Sequence, residues 1–509
     1  MPRQAAQPTN SPPPILHPFL LALYPVLALL AVNAFEIQFS DGLRALITAP
    51  LLASVFVLFA RLVANNWHRA GLVASFWLVL FFSYGHAYNL LGDTLIGRHR
   101  VLLPTCVMVL IAGSYWILKR IEHPARSTYP ANILGGLLVL FSLGQIAMAK
   151  INMANAREEF PPGEFLQLQV SSGRPPDIYY IIVDGYARKD ALAEDIHFDN
   201  SEFLTQMKAL GFYVASCSQS NYAQTKLSLS SALNMNYVED YYPDLDPARI
   251  ESHGLEPFLA HSSVRRALES LGYVTVAFET GFDWTELRDA DHYLGQDIGR
   301  DGGPNAFEVL LLRSTAVLAL TDAAATLPEF LSIDLSNADL IHRERVNFIL
   351  ETLPDLPPIE APKFVFAHVV SPHPPYVFDR EGNFPDPNTN ETALYRDQVA
   401  YLNSRLVDIV AKIISETKTP PVIIVQGDHG SPVSSDRGRM QILNLYLIPQ
   451  NGEVNLYPKI TPINTFRIIF NSLFETHLPL LEDKSYFSQY QHPFDFQMIP
   501  NDDPDCMTS

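Results

Sequence analysis

The sequence predicts an N-terminal α-helical transmembrane bundle of five spans. An α/β domain follows, its mostly parallel sheet covered by helices. Three observations predict this. Five apolar stretches of span length crowd the first 150 residues. After residue 174, short β-branched and aromatic runs alternate with helical stretches. Charge divides the same way: residues 1–150 hold 10 Lys/Arg against 4 Asp/Glu, and residues 151–509 hold 25 against 50.

The stretches 18–35, 45–64, 70–92, 101–118 and 131–149 are each long enough to cross a hydrocarbon core of roughly 30 Å. One could be a signal peptide. Five cannot, and no small-residue cleavage site follows the first. Buried helices of a soluble protein do not recur at this length with so few charges. Arg61 near the end of the second stretch can snorkel to the headgroups. Ionisable residues near the midplane are almost absent, which argues against a pump or transporter. His86 lies toward the end of its span and reads as interfacial.

With the N-terminus in the cytoplasm, the inside segments carry Arg3, Arg61, Arg69, Lys119, Arg120 and Arg126. The outside segments carry Arg44, Arg98, Arg100 and Lys150. That is a positive-inside bias. Five spans then place everything after Lys150 outside the cytoplasmic membrane. The acidic second part would repel a phosphate backbone, so nucleic acid is excluded as a partner. Three cysteines (Cys106, Cys217, Cys506) are too few for a disulfide scaffold. Cys217 and Cys506 could pair in an oxidising compartment; their spacing leaves this open.

Residues 151–173 read as a linker, with Glu158, Glu159, Pro161 and Pro162, then Ser171, Ser172 and Gly173. A domain over 174–499 and a disordered tail over 500–509 follow. Asp177–Val183 is a continuous apolar run and reads as a buried strand. Tyr273–Phe278, Lys363–Val370, Pro421–Gln426 and 441–448 look the same. Helical stretches include 263–271, 343–352 and 393–415. The Pro-rich segments 353–362 and 372–375 read as loops.

In such sheets the chemistry sits beyond the carboxyl ends of the strands. The first strand ends in Asp184-Gly185, and the strand at 421–426 ends in Gly427-Asp428-His429-Gly430. Two hard oxygen donors and one imidazole suit Zn²⁺ or Mn²⁺ better than Ca²⁺. An Asp-Gly after a strand is otherwise an ordinary turn. Thr225 lies where a polar loop enters a helix, a place that favours an anion. Its hydroxyl could attack phosphorus if a metal lowered its pKa; alone it would be an N-cap. His373, in a Pro-flanked loop after a strand, could bind a substrate phosphate or act as acid/base. His368 lies within the strand and reads as a satisfied core histidine. Trp284, also after a strand, could wall a substrate-binding pocket. Arg437 and Arg439 could line a basic pocket, with surface solvation the simpler role.

In this order and spacing, Asp184-Gly185, Thr225, His373 and Asp428-His429-Gly430 resemble the alkaline phosphatase/sulfatase superfamily over roughly 175–475. The resemblance implies a metal shared by Asp184, Thr225, Asp428 and His429. Five spans before such a domain resemble lipoteichoic acid synthases and phosphoglycerol or phosphoethanolamine transferases. These form a phospho-threonine intermediate. The formylglycine sequence of sulfatases is absent around Thr225. No His occurs between His429 and His477, unlike phosphoethanolamine transferases, which implies one divalent metal, Mn²⁺ or Zn²⁺, with Mg²⁺ also admissible. Asp184 stands where the synthases have Glu, and Tyr222-Ala-Gln precedes Thr225 where they have Gly-Lys.

The resemblance therefore implies a multi-pass enzyme of the bacterial inner membrane with a periplasmic or extracellular catalytic domain. It would transfer a phospho-alcohol head group from a phospholipid donor to an envelope glycan or lipid acceptor. A membrane-anchored phosphodiesterase or phosphatase using water is the alternative reading. A catalytically inactive membrane scaffold is a third.

Overall fold

The computed structural model describes residues 12–502 and Cys506. Excepted are 35–38, 93, 95–96, 159–165, 167, 170–173, 243–244, 249–253, 296–303, 323–336 and 450–454. Most of the expected linker, including Glu159 to Pro162 and Ser171 to Gly173, lies outside the described residues. The chain forms two compact units, 1–153 with 298–338, and 154–297 with 339–509. The sequence reading did not anticipate that 298–338 packs with the first unit.

In the first unit, five helices follow one another: α1 (His17–Val32), α2 (Leu43–Val63), α3 (Trp67–Leu91), α4 (His99–Arg120) and α5 (Pro124–Glu158). Four of these segments, Phe39–Val63, Trp67–Leu91, His99–Arg120 and Pro124–Ile151, are long and apolar enough to cross a membrane. Among the described residues four of the five expected spans meet this measure, and the remaining one is the shorter apolar helix α1. The 16 residues of α1 reach about 24 Å at 1.5 Å per residue, short of a roughly 30 Å core. It stops because Asn33 turns back, its side-chain amide donating to the Leu29 carbonyl at 2.8 Å. The next break has a similar local cause: Asn66 accepts from the Arg69 amide at 2.8 Å and starts α3. Small residues (Ala22, Ala45, Ala49, Ala53) line the packed faces with Val26, Leu30, Leu78 and Phe82, which lets helix backbones approach closely. Helix α5 runs on to Glu158, so the first eight residues of the expected linker are helical.

The second unit is built on a seven-stranded sheet: β1 (Ile178–Val183), β2 (Tyr213–Val214), β3 (Val274–Phe278), β4 (His292–Leu294), β5 (Lys363–Val369), β6 (Val422–Gln426) and β7 (Asn444–Leu447). Their order is β2-β7-β6-β1-β5-β3-β4. The pairs β1–β5, β1–β6, β3–β5 and β3–β4 are parallel; β6–β7 and β2–β7 are antiparallel. The sheet is therefore mixed: the strand expected at 441–448 is β7, and it runs antiparallel to β6. The segment 427–443 carries one five-residue helix, Asp436–Met440, and brings β7 back antiparallel beside β6.

Side chains alternate across the sheet. Tyr179, Ile181 and Val183 join Val346, Ile349, Leu402, Leu406 and Ile409 from helices Asn337–Thr352 and Glu391–Glu416. Ile178, Tyr180 and Ile182 join Leu229, Leu268, Phe466 and Ile469 from helices Thr225–Asn234, Ser263–Ser270 and Pro462–Leu473. Both faces are covered, which is why β1 is apolar at every position.

Cys217 and Cys506 are joined by a disulfide. Asn501 donates to the Cys217 carbonyl at 2.8 Å, and Lys459 donates to the Asn501 carbonyl at 2.6 Å. The described part of the expected disordered tail is thus tied to the domain.

Candidate active site

Three neighbouring parallel strands, β6, β1 and β5, deliver side chains to one sheet edge. Asp184 follows β1, its amide donating to the Val369 carbonyl of β5 at 3.0 Å. The next residue, Gly185, takes φ +74°, a left-handed conformation that glycine adopts without strain. That turn aims the Gly185 amide at Asp428 Oδ1, 2.9 Å away. His373 is fixed by its own amide, which donates to the Asp184 carbonyl at 3.0 Å. Ser371–Pro372 and Pro374–Pro375 on either side of it are cis.

Asp184, Asp428, His429 and His368 are almost fully buried, and His373 partly so. His429 Nε2 lies 3.5 Å from Asp184 Oδ1 and 3.7 Å from Asp428 Oδ2. His429 Nδ1 faces its neighbour's carbonyl, that of Gly430, at 2.8 Å. With the proton on Nδ1, Nε2 presents its lone pair to the carboxylates. His368 Nε2 lies 3.2 Å from Asp184 Oδ2.

Asp184 Oδ1, Asp428 Oδ2 and His368 Nδ1 are buried with no hydrogen-bond partner. Buried polar atoms are rarely left so, and buried carboxylates are paired with positive charge or coordinate a metal. Two groups of three, Asp184/His373/His429 and Asp184/His368/Asp428, each place ligand atoms within 4.8 Å of one another. The donor set of carboxylate oxygens and imidazole nitrogens fits a divalent transition ion.

Electrostatics fit the same role. Burial alone would raise the Asp184 pKa; the opposing pull of His373, His368 and His429 holds it below the usual carboxylate range. Burial lowers the His429 pKa despite the Asp428 charge, keeping the ring neutral and able to ligate.

Thr225 opens the helix Thr225–Asn234, whose start carries no side-chain cap. The helix is tied to the same loop: Ser228 donates to the Asp428 carbonyl at 2.7 Å, and Arg439 Nε donates to the Ala223 carbonyl at 3.0 Å. Trp284 sits between two groups of this region. Its ring centroid is 6.1 Å from that of His368 and 5.7 Å from Lys226 Nζ.

The structure thus brings Asp184, Asp428, His429 and His373 together, ties the Thr225 helix to them, and puts Trp284 beside His368. His368, which the sequence suggested as a satisfied core histidine, instead faces the site: its Nε2 lies against Asp184 Oδ2 and its Nδ1 has no hydrogen-bond partner. Its signal was register. It pairs with Ile182 across β1–β5, two residues before Asp184. Of the two arginines weighed for a basic pocket, Arg439 lies at the site and Arg437 does not. One of the Arg439 terminal nitrogens lies 3.5 Å from His429 Nε2, whereas Arg437 is exposed and pairs with Asp502 at 3.3 Å.

No protein-family profile and no curated protein matches the chain. Among solved structures it is similar to the C-terminal periplasmic domain of EptC from Escherichia coli, at 12% identity and TM-score 0.41 over 65% of this chain and 94% of that one. It is similar to the integral membrane lipooligosaccharide phosphoethanolamine transferase A from Neisseria meningitidis, at 14% identity and TM-score 0.35 over 90% and 95%. It is also similar to the lipoteichoic acid synthase LtaP from Listeria monocytogenes, at 12% identity and TM-score 0.36 over 66% and 82%.

Proposed function

We propose that the chain is a membrane-anchored, metal-dependent phosphotransferase of the alkaline phosphatase type. It moves a phosphoglycerol- or phosphoethanolamine-type head group from a membrane phospholipid to an envelope glycan or lipid. The observation that carries this reading is the set of unpartnered buried ligand atoms on Asp184, Asp428 and His368 beside an uncapped helix that begins with Thr225.

Asp184, Asp428 and His429 would hold one Zn²⁺ or Mn²⁺, with Mg²⁺ admissible and Thr225 as the fourth ligand. A bound cation polarises phosphoryl oxygens and lowers the pKa of a nearby hydroxyl. The first amides of the Thr225 helix face the phosphate. Thr225 Oγ1, entering as the alkoxide with its proton lost to solvent, forms a bond to phosphorus as the bond to the diacylglycerol oxygen breaks, and the second step regenerates that alkoxide. His373 has Nδ1 against the Pro374 carbonyl at 2.8 Å, so Nε2 is its working atom. From Nε2 it gives a proton to the departing alcohol. In the second step His373 takes the proton of the acceptor hydroxyl, which attacks phosphorus and releases Thr225. Trp284 and Lys226 line the substrate side.

The disulfide supports an oxidising compartment for the second unit. A periplasmic domain on an inner-membrane anchor meets that condition, with α1 as a fifth, short crossing. One observation favours water as acceptor instead: His368 and His373 extend the ligand groups to two overlapping sets that share Asp184, enough nitrogen donors for a second ion.

The test is the intact mass of the full chain after incubation with divalent metal and bacterial phospholipids. A head-group phosphate adduct on the wild type, absent from Thr225→Ala, is the expected result. Equal turnover by Thr225→Ala would overturn the mechanism. Free head-group phosphate released regardless of acceptor would select the hydrolytic reading.

A further inference from the structure

The described part of the 298–338 segment forms two short helices, Ala306–Arg313 and Val317–Asp322, that pack within the first unit. Three separate devices hold them there. Phe307 and Leu311 are buried in the cluster formed by Leu27 and Leu30 of α1, Ala45 and Ala49 of α2, and Phe82 of α3. Ala319 joins Tyr84 and Leu102.

The second device is ionic. Arg44, at the start of α2, grips Glu308 through two contacts, Nε to Oε1 at 2.6 Å and its terminal nitrogen to Oε2. Glu308 also completes a capping box with Asn305, and the Asn305 side chain donates to the Asp41 carbonyl at 2.9 Å.

The third device is backbone to backbone. The turn between the two helices bonds to α3 twice: the Gly85 amide donates to the Ser314 carbonyl at 2.9 Å, and the Ala316 amide donates to the Phe81 carbonyl at 2.8 Å. Only glycine allows this approach. A Cβ at position 85 would overlap the Arg313 carbonyl oxygen and sit 2.6 and 2.7 Å from Ser314 backbone atoms.

The contacted places share one feature. They are the C-terminal ends of α1 and α3 and the N-terminal ends of α2 and α4. In helices that alternate in direction these ends lie on one side of the helical unit.

We propose that residues 305–322 are a docking strap. They hold a stretch of chain that lies in sequence between β4 and the helix Asn337–Thr352 on the helical unit, keyed into α3 at Gly85 and fastened to α2 through Glu308.

Hydrogen exchange by mass spectrometry on the full chain in lipid nanodiscs tests this. In Gly85→Ala the 306–322 amides should exchange faster by about tenfold or more, with α2 unchanged. Alanine is otherwise the better helix former, so an unattached strap predicts no loss of protection, and unchanged exchange overturns the proposal. If α2 also loses protection, the ion pair decides. Arg44→Glu should release 306–322, and adding Glu308→Arg should restore it. No release by Arg44→Glu overturns the proposal as well.

Discussion

The Gly185 amide holds Asp428 Oδ1 at 2.9 Å, so the turn after β1 orients the carboxylate that follows β6. The other oxygen, Oδ2, has no hydrogen-bond partner and lies 3.7 Å from His429 Nε2. One oxygen is fixed to the scaffold and the other is presented to the site. That division separates a ligand from a capping carboxylate, which would spend both oxygens on amides.

Asp428→Asn should therefore keep the Gly185 contact, since the amide oxygen can still accept, and lose the charge. Metal affinity should fall by more than the roughly 10–100-fold typical of an outer partner. Elemental analysis of the purified variant checks this, with circular dichroism to show that the fold persists. Full metal occupancy would remove Asp428 from the ligand set.

Thr225→Ser and Thr225→Ala should separate nucleophile from cap. Serine keeps a hydroxyl at the helix start and should stay within about tenfold of wild-type turnover. Alanine should lose at least about 10³-fold. Head-group release from a labelled phospholipid is the measurement. Equal losses in both variants would point to the threonine methyl and its packing.

Much of this was legible in the sequence for physical reasons. A strand buried on both faces must be apolar throughout, so β1, β3, β5 and β6 stood out as short continuous runs, and the residues that follow them marked the sheet edge. What was not legible depends on pairing between distant segments. The antiparallel direction of β7 is a matter of its pairing with β6 and β2, which the composition of 441–448 does not carry. His368 reads as core because it lies inside a strand; only its register beside Ile182 sets it against Asp184. Gly85 looks like any membrane-helix glycine until Ser314, far along the chain, bonds to it.

His342 gives a pH dependence of definite sign. It is buried on helix Asn337–Thr352. Burial, then Arg345 and His373, lower its pKa from 6.5 to about 4. The unfolded chain binds a proton below 6.5 while the folded one does not. Its share of stability is complete above that value and is lost as pH falls toward 4. The loss is at most about 3 kcal/mol. Denaturant midpoints at pH 7.5 and pH 5 should differ less in His342→Gln than in wild type. An unchanged difference would assign the acid sensitivity to other groups.

Lys363 and Asp177 form a buried ion pair where β5 and β1 begin. Asp177 also accepts from the Lys363 amide at 3.3 Å, and its carbonyl accepts from Val422 of β6 at 2.8 Å. One residue thus registers the three strands that carry the site. Lys363→Met leaves a buried carboxylate unpaired and should cost about 3–5 kcal/mol. Asp177→Asn in the same chain removes that charge, keeps an acceptor for the amide, and should recover a large part of the loss. The double variant should therefore be more stable than Lys363→Met alone, read as denaturant midpoints on the full chain in detergent. Strict additivity of the two substitutions would mean that the pair contributes through side-chain packing, with no charge coupling between the strands.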